Sequence, residues 1–539
     1  MWNTRVNPTL RALQPLELNA VCANLSQIVM RLLRQPTCCA AARCGNEIMG
    51  QSNRLAGRRS KTQIKEADRG IGNRVELQGK KVLVVGVGKS GLAAALFLRR
   101  RGAQVTVSDA RSAEFLTQEI PALLDAGIMV EAGGHGMLTL QRQDMIVVSP
   151  GVPLHTPEWA QARSLGLPIL GELELATRFL QGAILAISGS NGKTTTTALC
   201  AEILRASGTP VLVGGNIGVP AIALVEQSQP AGWNVLEVSS FQLETTQQFR
   251  PRIAVLLNIT PDHLDRHGSM ENYIAAKERI FANQTAEDLL VLHADDEHTQ
   301  HAAARAKSQV YWFSAKRPVR QGTFIYQDVV VFRATEQTAV QPILPVREIP
   351  LKGAHNVENV LAAVCAARLA GVPAETIRAA VAGFRAVEHR LEFVAQVRGV
   401  DYYNDSKATN VDAAAKAILS FAGGIHLILG GKDKNSDYTL LRPLLQERVR
   451  AVYTLGAAAE KIAQQIAGAT TVQACETLEQ AVAAAAAQAK AGEIVLLAPA
   501  CSSFDQFENY EHRGRVFKQC VQALQEKSAG KEAWQNASA

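Results

Sequence analysis

The chain has 539 residues, of which 47% are hydrophobic and 5% aromatic, a composition typical of a soluble α/β protein. Its length predicts about three domains. The net charge of +7 comes from residues 1–75, which carry 12 Lys/Arg against 4 Asp/Glu, whereas the rest of the chain carries 44 against 45. A near-neutral body gives no electrostatic reason to expect nucleic-acid binding.

Two further features of the sequence narrow the class of protein. The sequence has no run of about 18 apolar residues, so we expect no membrane insertion. Its nine cysteines include no Cys-x-x-Cys pair, which argues against disulfides and structural zinc and favours the cytoplasm.

Residues 1–75 form a basic N-terminal extension. They have no hydrophobic signal-peptide core followed by a small-residue cleavage site. We therefore expect the extension to be disordered or absent from the native protein, in preference to a targeting segment, and to carry no catalytic residue.

The next segment predicts a nucleotide-binding first domain. A strand over Lys81–Val85 leads into Gly86-x-Gly88-x-x-Gly91, a helix, and a second strand that ends at Asp109. This is the dinucleotide fingerprint, with an acidic residue about twenty positions further on to meet a ribose hydroxyl. Alone it indicates NAD with low specificity, and the glycines could instead serve only tight packing. A Ser-Pro-Gly turn at the end of a later strand (144–153) adds a second ligand-facing loop.

The centre of the chain, residues 183–208, predicts a phosphate cradle. A buried strand, a Gly-Ser-Asn-Gly turn and a helix that starts at Lys193 and stops before Gly208 follow one another. Backbone N–H groups of such a turn bind phosphate, Lys193 can reach the terminal phosphates, and the Thr194 hydroxyl can ligate Mg²⁺. The loop is a shortened variant, because Ile187 stands where the usual G-x-x-x-x-G-K-[ST] pattern begins with glycine.

Polar residues follow three later strands of the same predicted sheet. Each could be a satisfied polar group at a strand end, but their convergence on one edge favours a site for a hard metal ion beside the phosphates. The residues are Asn216 in GGNIG; Glu237, Ser239 and Gln242 in the segment 233–244; and Asp262, His263, Asp265 and His267 in the segment 253–277.

Together these motifs resemble the Mur ligase family, ATP-dependent amino-acid ligases of peptidoglycan precursor synthesis. The resemblance rests on GSNGKTT, GGNIG, EVSSFQLE, LNITPDHLDRH and Y-x-x-A-K, and continues through LKGAHNVENVLAA, EHRLE, NDSKATN, LILGGKDK and LAPACSSFDQFENYEHRG. It spans about residues 76–525 in unbroken order. NDSKATN, together with the absence of a DNPR-type signature, favours the branch that adds D-glutamate to UDP-N-acetylmuramoyl-L-alanine.

The resemblance implies an α/β fold of three domains: a Rossmann-like UDP-binding domain (76–171), a central P-loop ATPase-type parallel-sheet domain (172–386) and a C-terminal Rossmann-like domain (387–528), followed by a tail (529–539). It also implies a reaction in which ATP converts a substrate carboxylate into an acyl phosphate that the amino acid's amine attacks. The cofactors would be ATP, two Mg²⁺ ions and a CO₂-derived carbamate on Lys277. The partners would be small-molecule substrates only, and we expect a monomer.

The resemblance assigns site residues in five groups. Catalytic roles fall to Lys193, His263 and Lys277. ATP would be bound by Gly189, Ser190, Asn191, Gly192, Lys193, Thr194, Thr195, Asn356, Asn359, Arg390 and Asp405. The UDP substrate would be bound by Lys89, Ser90, Asp109, Arg111, Ser149, Gly151, Asn216, Ser239 and Gln242. D-glutamate would be bound by Lys407, Thr409, Lys434, Ser503 and Phe504. The metal ions would be held by Thr194, Glu237, His263 and carbamylated Lys277.

Three alternatives remain open at this point. The chain could be another Mur ligase or a folylpolyglutamate-type ligase, an NAD oxidoreductase fused to an ATPase, or a non-catalytic nucleotide-sensing protein. Intact Lys193, Glu237, His263 and Lys277 argue against the last. Lys432 departs from the Gly-Gly-Asp-Gly-Lys of some relatives, so no role is carried over to it.

Overall fold

The computed structural model describes residues 75–154, 156–385 and 387–537, which form three β-sheets flanked by helices. Residues 1–74, the subject of our expectation for the N-terminal extension, lie outside the described residues. Among the described residues, no helix combines the length and apolar character needed to cross a bilayer.

The first sheet has five parallel strands in the order β3-β2-β1-β4-β5. The order reverses between β1 and β4, where a doubly wound sheet opens its ligand crevice. Its strands are β1 (Lys81–Val85), β2 (Gln104–Asp109), β3 (Met129–Ala132), β4 (Met145–Val148) and β5 (Ile169–Gly171). Its helices are α1 (Lys89–Arg100), α2 (Ile120–Asp125), α3 (Met137–Gln141), α4 (Pro157–Ser164) and α5 (Glu172–Thr177).

The central sheet has nine strands in the order β14-β13-β12-β11-β10-β9-β6-β8-β7. From β7 to β12 in this order every adjacent pair is parallel, and β13 and β14 then extend the sheet from β12 in antiparallel pairs. The strands are β6 (Ala183–Ser188), β7 (Val211–Gly215), β8 (Trp233–Glu237), β9 (Ile253–Leu256), β10 (Leu289–His293), β11 (Gln309–Ser314), β12 (Gly322–Tyr326), β13 (Val329–Arg333) and β14 (Gln341–Pro345). The helices are α6 (Lys193–Ala206), α7 (Ser240–Leu243), α8 (Leu264–His267), α9 (Met270–Glu278), α10 (Glu297–Ala303), α11 (Ala354–Leu369) and α12 (Ala374–Gly383).

Strand register places the polar strand ends of this sheet side by side. Ile187 on β6 pairs with Glu237 on β8, and Ser188 pairs with Leu256 on β9. Because all three strands are parallel, the loops that follow them leave the sheet at the same edge.

The third sheet has six strands in the order β15-β16-β20-β17-β18-β19, with only the β15–β16 pair antiparallel. Its strands are β15 (Glu392–Val397), β16 (Val400–Asn404), β17 (Ile425–Gly430), β18 (Val449–Leu455), β19 (Thr471–Ala474) and β20 (Ile494–Leu497). Its helices are α13 (Val411–Leu419), α14 (Arg442–Arg448), α15 (Ala459–Gln465), α16 (Leu478–Gln488) and α17 (Tyr510–Ala537). Helix α17 continues past residue 528, where we expected a tail to begin.

The first and central domains share a hydrophobic core, whereas the third domain has its own. One continuous core joins the first and central domains, since it contains Val84 of β1 together with Leu256 of β9. The two apolar clusters that cover the faces of the third sheet contain only residues from Leu391 onward. The third domain therefore meets the central domain mainly through polar groups, which cost less to separate than an apolar core.

Candidate active site

The phosphate cradle lies between the end of β6 and the start of α6. Gly189 and Gly192 have φ values of +150° and +87°. A Cβ atom on Gly192 would lie 2.1 Å from Asn359 Oδ1, so both backbone conformation and space require glycine. A glycine loop that leads into a helix N-terminus is the usual setting of a phosphate site. Two of the loop N–H groups, those of Ser190 and Asn191, donate to Asn258 in this structure. Lys193 Nζ folds back over the loop and donates to the carbonyl oxygens of Gly189 and Ser190, each at 2.8 Å.

A buried carboxylate lies against the first turn of α6. Thr194 Oγ1 donates to Glu237 Oε2 at 2.7 Å, and Asn216 Nδ2 donates to Glu237 Oε1 at 2.7 Å. Burial raises the pKa of Glu237, but the positive charges of Lys407 and Lys193, together with the two hydrogen bonds, outweigh it and hold that pKa below its usual range. An ionised carboxylate and a hydroxyl in contact are the hard oxygen donors that Mg²⁺ prefers, so these residues fit the ion.

Lys277 is buried directly beneath the cradle. Its side chain is 1% exposed, and Nζ donates to Gly189 O at 2.7 Å and lies 4.6 Å from the ring centroid of Tyr273. Among the described residues it forms no ion pair with a carboxylate. Burial, reinforced by Lys193, lowers the pKa of Lys277 well below its usual value. A lowered pKa makes the amine easier to deprotonate, and a deprotonated lysine amine is a nucleophile.

His263 lies at the N-terminus of α8 with φ of +54°. Its Nε2 atom is 3.6 Å from Asp262 Oδ2. Burial lowers the pKa of His263 to about 4, so the imidazole is neutral and its unprotonated ring nitrogen can bind a metal ion.

Five residues form a polar seam between the central and third domains: Asn191, Asp262, Asn410, Asp412 and Lys434. Asn191 Nδ2 donates to Asp412 Oδ2 at 2.5 Å, and Asn410 Nδ2 donates to Asp262 Oδ2 at 3.0 Å. Lys434 Nζ lies 3.3 Å from Asp262 Oδ1. The seam brings the third domain against the phosphate cradle itself.

Arg390 also reaches the cradle from the third domain. Its Nη2 atom is 3.4 Å from Thr194 Oγ1, while its buried Nε atom has no hydrogen-bond partner among the described residues. An unpartnered guanidinium N–H beside a phosphate cradle can donate a hydrogen bond to a phosphate oxygen.

A cavity of about 180 Å³ opens between the cradle, α11 and the third domain. It brings together Asn356, Asn359, Arg390 and Asp405, which sequence reasoning assigned to ATP. Burial raises the pKa of Asp405 to about 6, against the effect of Arg390. Sequence reasoning missed several lining side chains, because nothing local marks them: Lys352, His355, Glu358, Phe393, Tyr403 and Lys416.

The residues assigned to D-glutamate lie in the third domain, in the segments that follow β16, β17 and β20. Lys407 Nζ donates to the Tyr510 hydroxyl at 2.9 Å and lies 4.4 Å from its ring centroid, and burial lowers the pKa of Lys407 to about 8. Thr409 N donates to Lys407 O, which tightens the loop. Ser503 is buried, whereas Phe504 is 67% exposed.

Arg513 is a second residue that sequence reasoning missed. Its buried guanidinium donates to Ser406 O at 2.7 Å and to Cys501 O at 3.2 Å. It therefore braces the loop that carries Lys407 against the loop that carries Ser503. Lys432, to which no role was assigned, pairs through its main chain with Ser502.

The first-domain residues meet at the crevice between β1 and β4. Asp109 accepts from Val87 N at 2.7 Å and from the guanidinium of Arg111, and Ser149 Oγ donates to Gly86 O at 2.7 Å. Burial raises the pKa of Asp109, but the hydrogen bonds from Arg111 and Val87 more than compensate. Lys89 and Ser90 open α1 at the same crevice.

Three other residues assigned to the UDP substrate have protein partners. Gly151 O accepts from Arg266 Nη1 at 3.3 Å, which ties the Ser-Pro-Gly turn to the central domain. Ser239 and Gln242 bond each other in a capping box at the N-terminus of α7.

The central domain carries a P-loop on a largely parallel sheet. A Rossmann-like domain precedes it in the chain and an α/β domain follows it. This arrangement defines a three-domain nucleotide-dependent protein. Family models match each part: the Mur ligase MurD-like N-terminal domain over residues 80–171, the Mur ligase middle domain over 187–367, and the Mur ligase glutamate ligase domain over 389–501. The chain belongs to the Mur ligase family. The resemblance drawn from the motifs and the predicted three-domain α/β fold are both confirmed.

Curated relatives match nearly the whole described chain. The UDP-N-acetylmuramoylalanine–D-glutamate ligase of Acidobacterium capsulatum is 69% identical over 465 residues, which are 86% of this chain and 100% of that protein. The enzyme of the same name from Koribacter versatilis is 58% identical over 452 residues, 84% of this chain and 99% of that protein.

Solved structures share the fold at low identity. A pseudomurein peptide ligase type C from Methanothermus fervidus aligns with a TM-score of 0.53 and 18% identity, covering 83% of this chain and 100% of that one. The UDP-N-acetylmuramate–alanine ligase of Thermotoga maritima aligns with a TM-score of 0.53 and 20% identity, covering 82% and 99%.

Proposed function

We propose that this protein is an ATP-dependent ligase that joins D-glutamate to UDP-N-acetylmuramoyl-L-alanine in cytoplasmic peptidoglycan precursor synthesis. Relatives that carry this activity in their names support it at 69% and 58% identity. The observation that carries the proposal is the single cleft in which the phosphate cradle, the Thr194–Glu237 pair and the lysines of the third domain meet.

The reaction requires two anions to approach each other. The carboxylate of the UDP substrate attacks the γ-phosphorus of ATP and releases ADP, and the amine of D-glutamate then attacks the acyl phosphate and releases phosphate. No protein nucleophile is needed, so catalysis depends on alignment and charge neutralisation. Lys193 exchanges its two loop carbonyls for phosphate oxygens, and Arg390 adds a second cation from the other domain.

The proposed first Mg²⁺ ion is held by Thr194 and Glu237, and when bound it neutralises charge on the phosphates. His263 and Lys277 would hold a second ion, Lys277 after its amine adds CO₂ to form a carbamate. What supports this modification is a fully buried lysine that has no carboxylate partner among the described residues and whose pKa burial lowers well below its usual value. The carbamate would retain one N–H and add two carboxylate oxygens that can ligate the ion.

The proposed amino-acid pocket uses Lys407 and Lys434 for the two acid groups of D-glutamate, since a dicarboxylate requires two cations. Ser503 and Thr409 lie on the flanking loops, and Phe504 contributes only main-chain contacts, consistent with its exposed ring. The crevice lined by Lys89, Ser90, Ser149 and Gly151 receives the UDP substrate. We propose that the enzyme acts as a monomer on small molecules alone.

Phosphate release from ATP tests the function. The protein receives UDP-N-acetylmuramoyl-L-alanine with D-glutamate, L-glutamate, diaminopimelate or no amino acid. Release that depends on D-glutamate alone is expected. Release with another amino acid would keep the ligase mechanism and change its substrate, and no release from protein that binds ATP would favour a nucleotide sensor.

A pair of lysine variants provides the control. Lys193→Met is expected to abolish release, because the cradle loses its phosphate-binding cation. Lys490→Met, at an exposed position outside the cleft, is expected to leave it unchanged.

A further inference from the structure

The loop that follows β17 carries Lys434, and it is also where the chain departs from the Gly-Gly-Asp-Gly-Lys of some relatives. Main-chain hydrogen bonds hold this loop as far as Lys432, whose N–H donates to Ser502 O at 2.9 Å. Beyond that point, the N–H groups of Lys434 and Asn435 make no hydrogen bond to another described residue. Asn435 also has a φ of +63°, in the left-handed region that few side chains adopt. The position of Lys434 therefore depends on side chains that hold the loop.

The side chain that holds it is Asp433, directly before Lys434. Its Oδ1 atom accepts from Ser436 N at 3.1 Å and from the Tyr438 hydroxyl at 2.8 Å, and its Oδ2 atom accepts from Lys461 Nζ at 2.7 Å. Burial raises the pKa of Asp433, but the three hydrogen bonds and the charge of Lys461 outweigh it and hold that pKa below its usual value. The carboxylate is therefore ionised at neutral pH and retains all three partners.

Tyr438 and Lys461 are themselves anchored in the third domain. Tyr438 is fully buried, and its hydroxyl also lies 2.9 Å from the Sγ atom of Cys501, two residues before Ser503. Lys461 lies on α15, and Gln465 of the same helix accepts from Tyr438 N at 2.8 Å. These contacts join the loop of Lys434 to the loop of Ser503 and to α15.

Lys434 needs this support because its amine is at the end of a flexible four-carbon stem, which is located only as well as its main chain. Its Nζ atom reaches across to the central domain, 3.3 Å from Asp262 Oδ1. A loop that moves at Asp433 would present the amine at the wrong place.

We propose that Asp433, held by Lys461 and Tyr438, is a positioning residue that fixes Lys434 for a carboxylate of D-glutamate. The inference rests on the proposed function and adds the side chains that keep its amino-acid pocket in shape. When these contacts are lost, a smaller fraction of the protein presents Lys434 correctly, and the apparent affinity for D-glutamate falls by that fraction. None of the three side chains is assigned to a substrate, so the chemistry of bound substrates is unchanged.

Steady-state kinetics of phosphate release, with each substrate varied in turn, tests the inference. Asp433→Ala removes all three hydrogen bonds and is expected to raise KM for D-glutamate about tenfold. Its kcat and its KM values for ATP and the UDP substrate are expected to stay within about twofold of wild type, since only uniform binding of one substrate is lost.

Lys461→Met keeps the apolar stem and removes the charge. It is expected to raise KM for D-glutamate about threefold, because a partly exposed ion pair contributes less than a buried hydrogen bond. Lys461→Arg keeps the charge and is expected to stay near wild type. Lys490→Met, at an exposed position outside the cleft, is the matched control and is expected to behave as wild type.

The sign of the effect separates positioning from simple electrostatics. D-Glutamate carries two carboxylates, so charge alone would make Asp433→Ala lower its KM and Lys461→Met raise it. Positioning predicts that both variants raise it. It also predicts that the double variant is no worse than Asp433→Ala, because Lys461 acts only through Asp433.

An unchanged or lower KM for D-glutamate in Asp433→Ala would overturn the inference, as would a rise in the KM of every substrate or fully additive effects in the double variant. Such a result, with wild-type protein that releases phosphate in the presence of D-glutamate, would leave the ligase assignment intact. Wild-type protein that releases no phosphate with D-glutamate would refute the assignment, and this inference with it.

Discussion

The P-loop glycine Gly192 presses against α11, and replacing it by alanine measures that contact. At Gly192 the new Cβ would lie 2.1 Å from Asn359 Oδ1, closer than packed atoms can remain, and 3.2 Å from Leu257 Cδ1, a tight contact. Asn359 would have to move and lose its 3.1 Å hydrogen bond to Asn356, at a cost of about 1 kcal/mol. The positive φ adds about 1–2 kcal/mol for any residue with a Cβ.

Gly208 is the matched control, since its φ is +80° and nothing lies within 4 Å of its Cβ position. Gly208→Ala is expected to lose only the backbone strain, about 1–2 kcal/mol. Gly192→Ala is expected to lose about 2–3 kcal/mol in urea unfolding and to weaken ATP binding about tenfold, because the loop leaves the phosphate position.

Urea unfolding followed by circular dichroism gives the stability difference between the two variants, and calorimetry gives their ATP affinity. Equal losses of stability in both variants, together with unchanged ATP affinity, would refute the reasoning. That result would mean that Asn359 does not hold the cradle in place.

Three other predictions concern the proposed chemistry. Lys277→Ala is expected to abolish ligase activity and to regain part of it with added formate or acetate; activity that no short carboxylate alters would contradict the carbamate. Because burial lowers the pKa of Lys407 to about 8, its charge is present below that pH and lost above it, so KM for D-glutamate is expected to rise as pH increases through about 8. Lys407→Arg, whose charge persists, is expected to remove that rise. In the proposed function the ATP groups are divided between the central and third domains and the amino-acid groups lie on the third. An ATP analogue with the UDP substrate is therefore expected to reduce the radius of gyration in solution scattering, and an unchanged profile would count against domain closure.

The sequence alone predicted the strands, helices and glycine turns that are encoded by short local patterns. The strand before the cradle, the helix that stops before Gly208 and the fingerprint at Gly86–Gly91 all follow from apolar runs and glycines a few residues apart. Such signals suffice because a βα unit is encoded in one short segment.

Contacts between distant segments could not be predicted in the same way. Asn191 and Asp412 are 221 residues apart in the chain, and neither side chain has a local feature that indicates the other. Lys277 shows the same limit, because its helical context alone indicates a solvated lysine, whereas the fold buries it beneath Gly189. Only the family resemblance pointed to it.

The pairing of Ile187 with Glu237 fixes the position of the Glu237 carboxylate relative to the phosphate cradle. That position therefore depends on the register between β6 and β8. Side chains alternate between the two faces of a strand, so one residue inserted within β8 would turn Glu237 away from Thr194, with no intermediate position available. Residues added to the turns of the first or third domain leave that register untouched. One framework can therefore accept new amino-acid pockets while its phosphoryl-transfer machinery stays fixed.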